Sequence, residues 1–510
     1  MSEREPGRQR VDWVPIALFA LSLLSRVPFR SQILYHWDSV NFANAMREFD
    51  VIQEHPQPPG YIVYVWLSRL VDILFHDAQV TMVWISIVGS ALAVVALFYL
   101  GWAMWGRRVG IVAALLLASS PLFWFYGEIA LPHTLDTFLV ILSAWWLYEV
   151  MEGDPRPLFP VILVLGIAGG VRQQTLVFLI PLTLFAMRKV SFRRWLIAVC
   201  IGAVVCLIWF VPLMARSGGI GAYLEKTGEF AARFQTTTSV LMGAGWSGVA
   251  YNTRKLGMYT LYGWCAGLIP AAAGLVAQFR RPLKPGFWER FWFLALWIGP
   301  GLAFYALVHM GQQGLVFIFL PALLLVSAVG LVRLLERWDR ERWWFAVAVM
   351  LTLANAAIFC LAPEYPLGPG TQRLLTRATL TNNDRYFQDR LAAIETHFQP
   401  ETTAILTINS EHVAYYLPDY RRLPIPVVGP RFYEVEASSR DLDLLAERVF
   451  RPGRAYAVVV FDPELAPLNE RPALTRDAPL NDGGELEYIP LDSDEIFYYG
   501  LEGFGVRPQE

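Results

Sequence analysis

Long apolar runs broken by short polar stretches fill most of the chain, and the pattern changes character after Ala362. A helix that crosses the hydrocarbon core of a bilayer needs roughly 20 mostly apolar residues. On that measure the pattern predicts spans over 12–28, 80–104, 109–126, 134–150, 157–171, 174–188, 195–214, 256–278, 290–308, 314–334 and 343–361. Two stretches between the first and second spans do not fit. Ser39 to Phe49 is mixed polar and apolar, and Pro59 to Phe75 is short and carries Arg69 and Asp72. Both are expected to lie in the membrane interface as amphipathic helices, the first with Asp38 at its N-cap. Beyond Ala362 the chain is charged and rich in Pro and Asp. Thr403 to Ile408 and Tyr456 to Phe461 predict short buried strands, and Asp384 to His397 predicts a helix, the alternation of a small α/β domain. The expected fold is an α-helical polytopic membrane protein of about 11 transmembrane helices. It has two interfacial helices in the first outer loop and a soluble C-terminal α/β domain. The domains are expected to be 1–361 and 362–510.

Composition agrees with lipid as the main solvent. Of 510 residues, 55% are hydrophobic and 17% charged, with mean hydropathy +0.39, against roughly 25% charged in an ordinary soluble domain. The net charge of -2 and the lack of a basic run point away from nucleic acid. Cys200, Cys206, Cys265 and Cys360 lie in apolar segments at no metal or redox spacing and are read as packing residues. The basic N-terminus (Arg4, Arg8, Arg10) followed by Val14 to Leu24 resembles a signal peptide, but Ser25-Arg26-Val27-Pro28 is not a cleavage site, so an uncleaved first span is expected. With the N-terminus cytoplasmic, the inner loops hold Arg107, Arg108, Arg156, Arg188, Lys189, Arg193, Arg194, Arg280, Arg281, Lys284, Arg337, Arg340 and Arg342, while the short outer turns 127–133 and 309–314 hold no Lys or Arg. The first loop and the C-terminal domain then lie outside the cytoplasm, on a multi-pass protein of the cell (inner) membrane.

Candidate chemistry collects on that outer side. Asp38 follows Tyr35, His36 and Trp37; it is either a general base with a raised pKa or only a helix cap. His55-Pro56-Gln57-Pro58-Pro59-Gly60-Tyr61 is stiffened by three prolines and either presents His55, Gln57 and Tyr61 to a substrate or merely starts a helix. Asp50 and Glu54 read as surface charges. Glu128, His133 and Asp136 crowd one short turn and are either functional or capping and pairing groups. Arg172, beside Gly169 and Gly170 at a break between two short apolar segments, suits an anion better than it suits snorkelling. Arg233, Arg254, Lys255, His309 and Gln312 are further outer-side groups that suit a phosphate. No nucleotide-binding loop, hydrolase elbow or zinc-protease motif sits where its chemistry would need it.

Taken in order, these motifs resemble the GT-C class of multi-spanning glycosyltransferases, nearest to the branch of protein O-mannosyltransferases and lipid A aminoarabinose transferases. Asp38 with Asn41-Phe42-Ala43-Asn44-Ala45 resembles that branch's acidic residue and following helix. Pro58-Pro59-Gly60-Tyr61 resembles its Pro-Pro-x-Tyr entry, Arg172 its basic residue between short spans, and His309 to Pro321 its outer turn and Leu-Pro segment. Ser39 stands where many members have a second acid, and Gln57 where many have Lys. The resemblance implies an inverting transfer of a hexosyl or pentosyl group from a polyprenyl-phosphate donor to a lipid, glycan or protein acceptor at the outer face. Asp38 would be the catalytic base, with Arg172, Arg254, Lys255 and His309 at the donor phosphate. His55, Gln57, Tyr61, Glu128 and His133 would contact substrate, with no cofactor and no metal. The competing readings are a lipid or sugar transporter and, on the same fold, a polysaccharide polymerase or ligase. Ser410-Glu411-His412 and Tyr415 to Tyr420 read as a fold element of the C-terminal domain.

Overall fold

The computed structural model describes residues 12–278, 286–367, 373–425 and 446–509. Arg4, Arg8, Arg10, Arg280, Arg281 and Lys284 of the charge pattern lie outside the described residues. The helices are α1 (Trp13–Arg26), α2 (Trp37–Arg47), α3 (Ile62–Phe75), α4 (Ala78–Trp105), α5 (Arg107–Ser119), α6 (Pro121–Tyr126), α7 (His133–Met151), α8 (Leu158–Val171) and α9 (Gln173–Ala186). They continue with α10 (Phe192–Arg216), α11 (Ile220–Gln235), α12 (Gly245–Trp264), α13 (Leu268–Gln278), α14 (Phe287–Leu307), α15 (Leu320–Arg337), α16 (Trp344–Leu361), α17 (Arg377–His397) and α18 (Ser410–Tyr416). The strands are β1 (Thr403–Thr407), β2 (Arg421–Pro424), β3 (Arg448–Phe450), β4 (Tyr456–Val460), β5 (Arg476–Pro479), β6 (Glu485–Leu491), β7 (Glu495–Tyr499) and β8 (Phe504–Pro508).

The chain forms two compact units. The first takes Met1–Arg30, Glu48–Glu364 and Leu375–Ala378; the second takes Ser31–Arg47, Tyr365–Leu374 and Thr379–Glu510. Contacts therefore do not divide the chain at a single point near residue 361. The leading half of the first loop, α2 included, folds with the C-terminal unit.

The first unit is a helical bundle. Its α4 and α7 are mostly buried, whereas α10, α14 and the helix ending at Leu361 keep most of their surface outward. The outward side chains of α10 include Val204, Leu207, Ile208 and Val211, each more than half exposed. Large apolar side chains on such a scale call for lipid. Among the described residues, five helical segments are long and apolar enough to cross a membrane: Ala78–Trp105, His133–Met151, Phe192–Arg216, Phe287–Leu307 and Glu341–Leu361. Several expected spans are interrupted instead. The 109–126 run breaks at Ser120, where Pro121 starts a separate helix. The 256–278 run breaks at Cys265, whose φ is +45°, and 314–334 opens with the short 3₁₀ turn Gln313–Ile318. Apolar composition does not report such breaks, because both halves remain lipid-soluble.

The second unit has three layers. Its central sheet runs β2-β1-β4-β6-β5, with β2, β1 and β4 parallel and β6 and β5 antiparallel additions. Alternation along β1 and β4 sends Ile405 and Val459 to one face, against Phe387 and Ile394 of α17 and Val413 of α18. Ala404, Leu406, Val458 and Val460 face the other way, against Phe497, Phe504 and Val506 of a small antiparallel sheet, β3-β7-β8. The expected strands and the α17 helix are thus borne out as an α/β unit.

A buried imidazole, His412, and a half-buried one, His36, give this unit a pH sensitivity. Burial pushes His412 down to about 4 and His36 down to about 3, from an ordinary 6.5, with His412 adding to the depression at His36. The unfolded chain therefore binds more protons than the native one below pH 6.5. Stability must fall as the pH drops from 6.5 toward 4. Thermal unfolding of the full chain in nanodiscs between pH 7 and 4 is expected to show that loss, with a shallower slope in His412→Gln, which has nothing to titrate.

Candidate functional site

In the second unit, α2 begins two residues earlier than expected, at Trp37 rather than Ser39, so Asp38 lies in the first helical turn. The N-cap position belongs to His36: its carbonyl accepts from the Ser39 N–H at 2.8 Å, and its ring Nδ1 accepts from the Asp38 N–H at 3.1 Å. The capping role expected of Asp38 is therefore filled by its neighbour. The Asp38 carboxylate is mostly buried and stands 3.6 Å from His36 Nδ1.

In the first unit, Arg172 is the N-cap residue of α9, in an extended conformation at the break after α8. It does not snorkel. The residue is 6% exposed, and its guanidinium reaches inward to Asp136 at 3.6 Å, while Nη2 donates to the Tyr305 hydroxyl at 3.4 Å and to Gln174 Oε1 at 3.3 Å. The Thr175 hydroxyl, also in the first turn of α9, lies 2.7 and 2.9 Å from the two Asp136 oxygens. Asp136, noted in the sequence only as one charge of a crowded turn, is the partner that fixes Arg172. Next to Arg172, the Gln173 amide donates to the Pro59 carbonyl and the Tyr223 hydroxyl, both at 3.1 Å. This ties the break to the Pro-rich loop. In that loop Gln57 is buried, and its Oε1 accepts no hydrogen bond among the described residues. Gly60 has φ +105°, and a Cβ there would meet Leu213 Cδ1 at 2.7 Å. Tyr61 has φ +41°, left-handed for a residue with a side chain, a strained geometry that tends to gather at functional sites. The loop is held further by Glu54, which is more than a surface charge. It pairs with Lys226 at 3.2 Å and Arg233 at 2.8 Å, both on α11. Burial works against its charge, but the two cations overcome this and hold its carboxyl below the ordinary value. His55 pairs its backbone with Asp50 in a two-residue bridge.

A second cluster lies along α12. Lys255 is 7% exposed, and its ammonium sits 5.3 Å from the Tyr251 ring and 5.9 Å from the Tyr259 ring. Among the described residues no carboxylate lies within ion-pair distance of it. His309, in the turn after α14, has Nδ1 3.1 Å from the Thr238 hydroxyl. Burial and then Lys255 push its imidazole down to about 4, so it is neutral at physiological pH. Asn252, one turn before Lys255, donates to the Thr238 carbonyl at 2.9 Å and accepts from the Met310 N–H at 3.2 Å, pinning the His309 turn to α12. His133, at the start of α7, packs edge-on to Tyr126 at 4.9 Å. Gly314 lies so close to both rings that a Cβ would come within 2.6 Å of each.

Two expected residues stand apart. Arg254 is exposed. Glu128 is fully buried and accepts from the Trp124 indole N–H at 2.7 Å. Burial holds its carboxyl well above the ordinary value against the pull of Arg26, then Trp124 and Arg377. Sequence reading missed Tyr305, Tyr223, Tyr251, Tyr259 and Asn252. A tyrosine within a long apolar helix was the one signal, and interfacial aromatics produce the same signal.

Residues 54–215 match the family model described as dolichyl-phosphate-mannose-protein mannosyltransferase. That stretch includes His55, Gln57, Tyr61, Glu128, His133 and Arg172, and leaves out Asp38, Arg254, Lys255 and His309. The fold is similar to that of ArnT from Cupriavidus metallidurans solved with undecaprenyl phosphate bound, with TM-score 0.56, 12% identity, and coverage of 94% of this chain and 97% of that one. The apo form of the same protein gives TM-score 0.55, 12% identity, and coverage of 94% and 98%. No curated protein sequence matches the chain. The resemblance drawn from the motifs is borne out: this is a membrane protein with the architecture of the GT-C class of glycosyltransferases.

Proposed function

We propose that the protein is an inverting glycosyltransferase that moves a sugar from a polyprenyl-phosphate donor to a lipid, glycan or protein acceptor at the outer face of the membrane. The observation that carries this reading is Lys255, a buried ammonium between two tyrosine rings with no carboxylate beside it among the described residues. A buried charge is costly without a partner; an anionic ligand supplies the one that the described residues do not. Neutral His309 offers a hydrogen bond without a competing charge, and Arg172, oriented by Asp136, adds a fixed cation. ArnT, similar in fold, was solved with undecaprenyl phosphate, which supports a lipid phosphate as that anion. In the proposed reaction Asp38 takes the proton from the acceptor hydroxyl or amine, which attacks the anomeric carbon in line. The bond from that carbon to the phosphate oxygen breaks, and the cations stabilise the departing phosphate. The charge alternation of the loops supports the outer face. Arg254 would meet the donor phosphate at the surface, and His55, Gln57, Tyr61 and His133 would line the substrate.

The test is release of free polyprenyl phosphate by the protein in lipid nanodiscs, with a panel of polyprenyl-phosphate sugars and a crude cell-envelope acceptor fraction. Turnover of at least one donor is expected; sugar uptake into vesicles without any turnover would favour transport instead. Lys255→Met is expected to raise the donor KM ten- to hundredfold, as loss of a charged hydrogen bond of about 1.5–3 kcal/mol implies. An unchanged KM would remove Lys255 from the phosphate.

A further inference from the structure

We propose that α18 and the N-terminal part of α17 are a positioning device for the first loop: they grip Ser31–His36 and so set the start of the helix that carries Asp38. The inference rests on the reading of Asp38 as the base. Every part of it lies within the second unit. The Asp384 carboxylate of α17 accepts from the Ser31 hydroxyl at 2.8 Å and from the Gln32 N–H at 2.7 Å. The Leu34 N–H donates to the Tyr416 hydroxyl at 2.9 Å. The Leu34 carbonyl lies 2.7 Å from His412 Nε2; a carbonyl only accepts, so that nitrogen carries the proton. His412 is itself 4% exposed and stacks on Phe387 of α17 at 4.5 Å. Between these anchors Ile33 inserts into the core formed by Phe387, Ile405 and Val413. At the far end of α2, Arg47 lies over the Tyr415 ring at 4.8 Å.

The topology of the sheet supports the same conclusion. The strand order β2-β1-β4 places the next strands on opposite sides of β1. The carboxyl ends of β1 and β4 therefore form a switch point, the place where open α/β sheets take up a ligand. Asp462, two residues beyond the end of β4, is fully buried there. Its carboxylate accepts from the Tyr386 hydroxyl, the Thr407 hydroxyl, the Ile408 N–H and the Asn409 amide. The Asp462 carboxylate is thus satisfied within the unit, while Asp384 and His412 bond to residues 31–34. A loop with no partner for its backbone would let α2 fray at its first turn, where Asp38 sits.

The experiment uses the full chain in nanodiscs, with hydrogen–deuterium exchange and transfer kinetics measured on the same samples. His412→Ala is expected to raise exchange in 31–47 at least fivefold, with no rise in 78–151. It is also expected to lower kcat at least tenfold with the donor KM unchanged within twofold. His412→Gln, whose amide restores the donor to Leu34, is expected to recover both. Tyr416→Phe, which loses a single hydroxyl, is expected to move both in the same direction as His412→Ala and carries the test if that variant does not fold. Unchanged exchange in 31–47 in these variants, or raised exchange with unchanged kcat, overturns the proposal. Asp38→Asn, run alongside, isolates the base assignment: wild-type turnover there, with raised exchange in His412→Ala, removes Asp38 as the base but upholds the grip on the loop.

Discussion

Asp38→Asn is expected to reduce transfer at least about a hundredfold, the usual contribution of a positioned general base, while leaving the protein folded. The structure makes this a sharp test, because it separates two roles that the sequence leaves equal. Had Asp38 been the N-cap of α2, its loss would have exposed the first backbone amides of the helix and lowered stability. The helix starts at Trp37, however, and the His36 ring and carbonyl take those amides. Asp38 adds only its charge near the positive end of the helix, worth about 0.3–1 kcal/mol. Thermal unfolding of the variant should therefore shift little while release of free polyprenyl phosphate collapses. A large loss of stability with proportionate loss of activity would return Asp38 to a structural role, and retained wild-type turnover would exclude it as the base.

The second large effect is expected at Asp136. Removing one member of a buried ion pair leaves the other charge without compensation, at about 3–5 kcal/mol. Asp136→Ala does this to Arg172, whose Nη1 lies 3.6 Å away, and also frees Thr175 from its partner. A shift of that size should be plain in unfolding of the nanodisc-embedded protein. Replacing both members, Asp136→Leu with Arg172→Met, removes the charge together with its counter-ion, and a matched apolar pair is often neutral or stabilising. The double variant is expected to recover most of the lost stability but not transfer, because the cation proposed for the departing phosphate is gone. Recovery of both would make Arg172 a packing residue only. The singles Asp136→Leu and Arg172→Met, measured with that double, form a cycle that reports the coupling directly.

How far these sites were legible in advance depended on the kind of information each required. Arg172 was singled out because a charge flanked by glycines at a break in apolar sequence is visible locally. Its partner Asp136 was visible too, but nothing in a linear pattern says which of Glu128, His133 and Asp136 it meets. Lys255 was one of several weak outer-loop cations; its distinction lies in Tyr251 and Tyr259 and in the absence of a described carboxylate, which only packing reveals. Glu128 and Arg254 looked equally functional and separate only by burial: one is sealed against Trp124, the other faces outward.

By itself the sequence determined that this is a membrane protein with an α/β unit at its C-terminal end. Bilayer thickness and the alternation of buried strands write themselves into length, composition and period, all of which are local. Only the tertiary structure decided that Ser31–Arg47 belongs with Tyr365–Leu374 and the chain beyond Thr379, that Arg172 is clamped by Asp136, and that Asp38 is relieved of capping by His36. Each of these is a pairing between particular side chains, and hydrophobic periodicity constrains which face of an element is buried without stating what it is buried against.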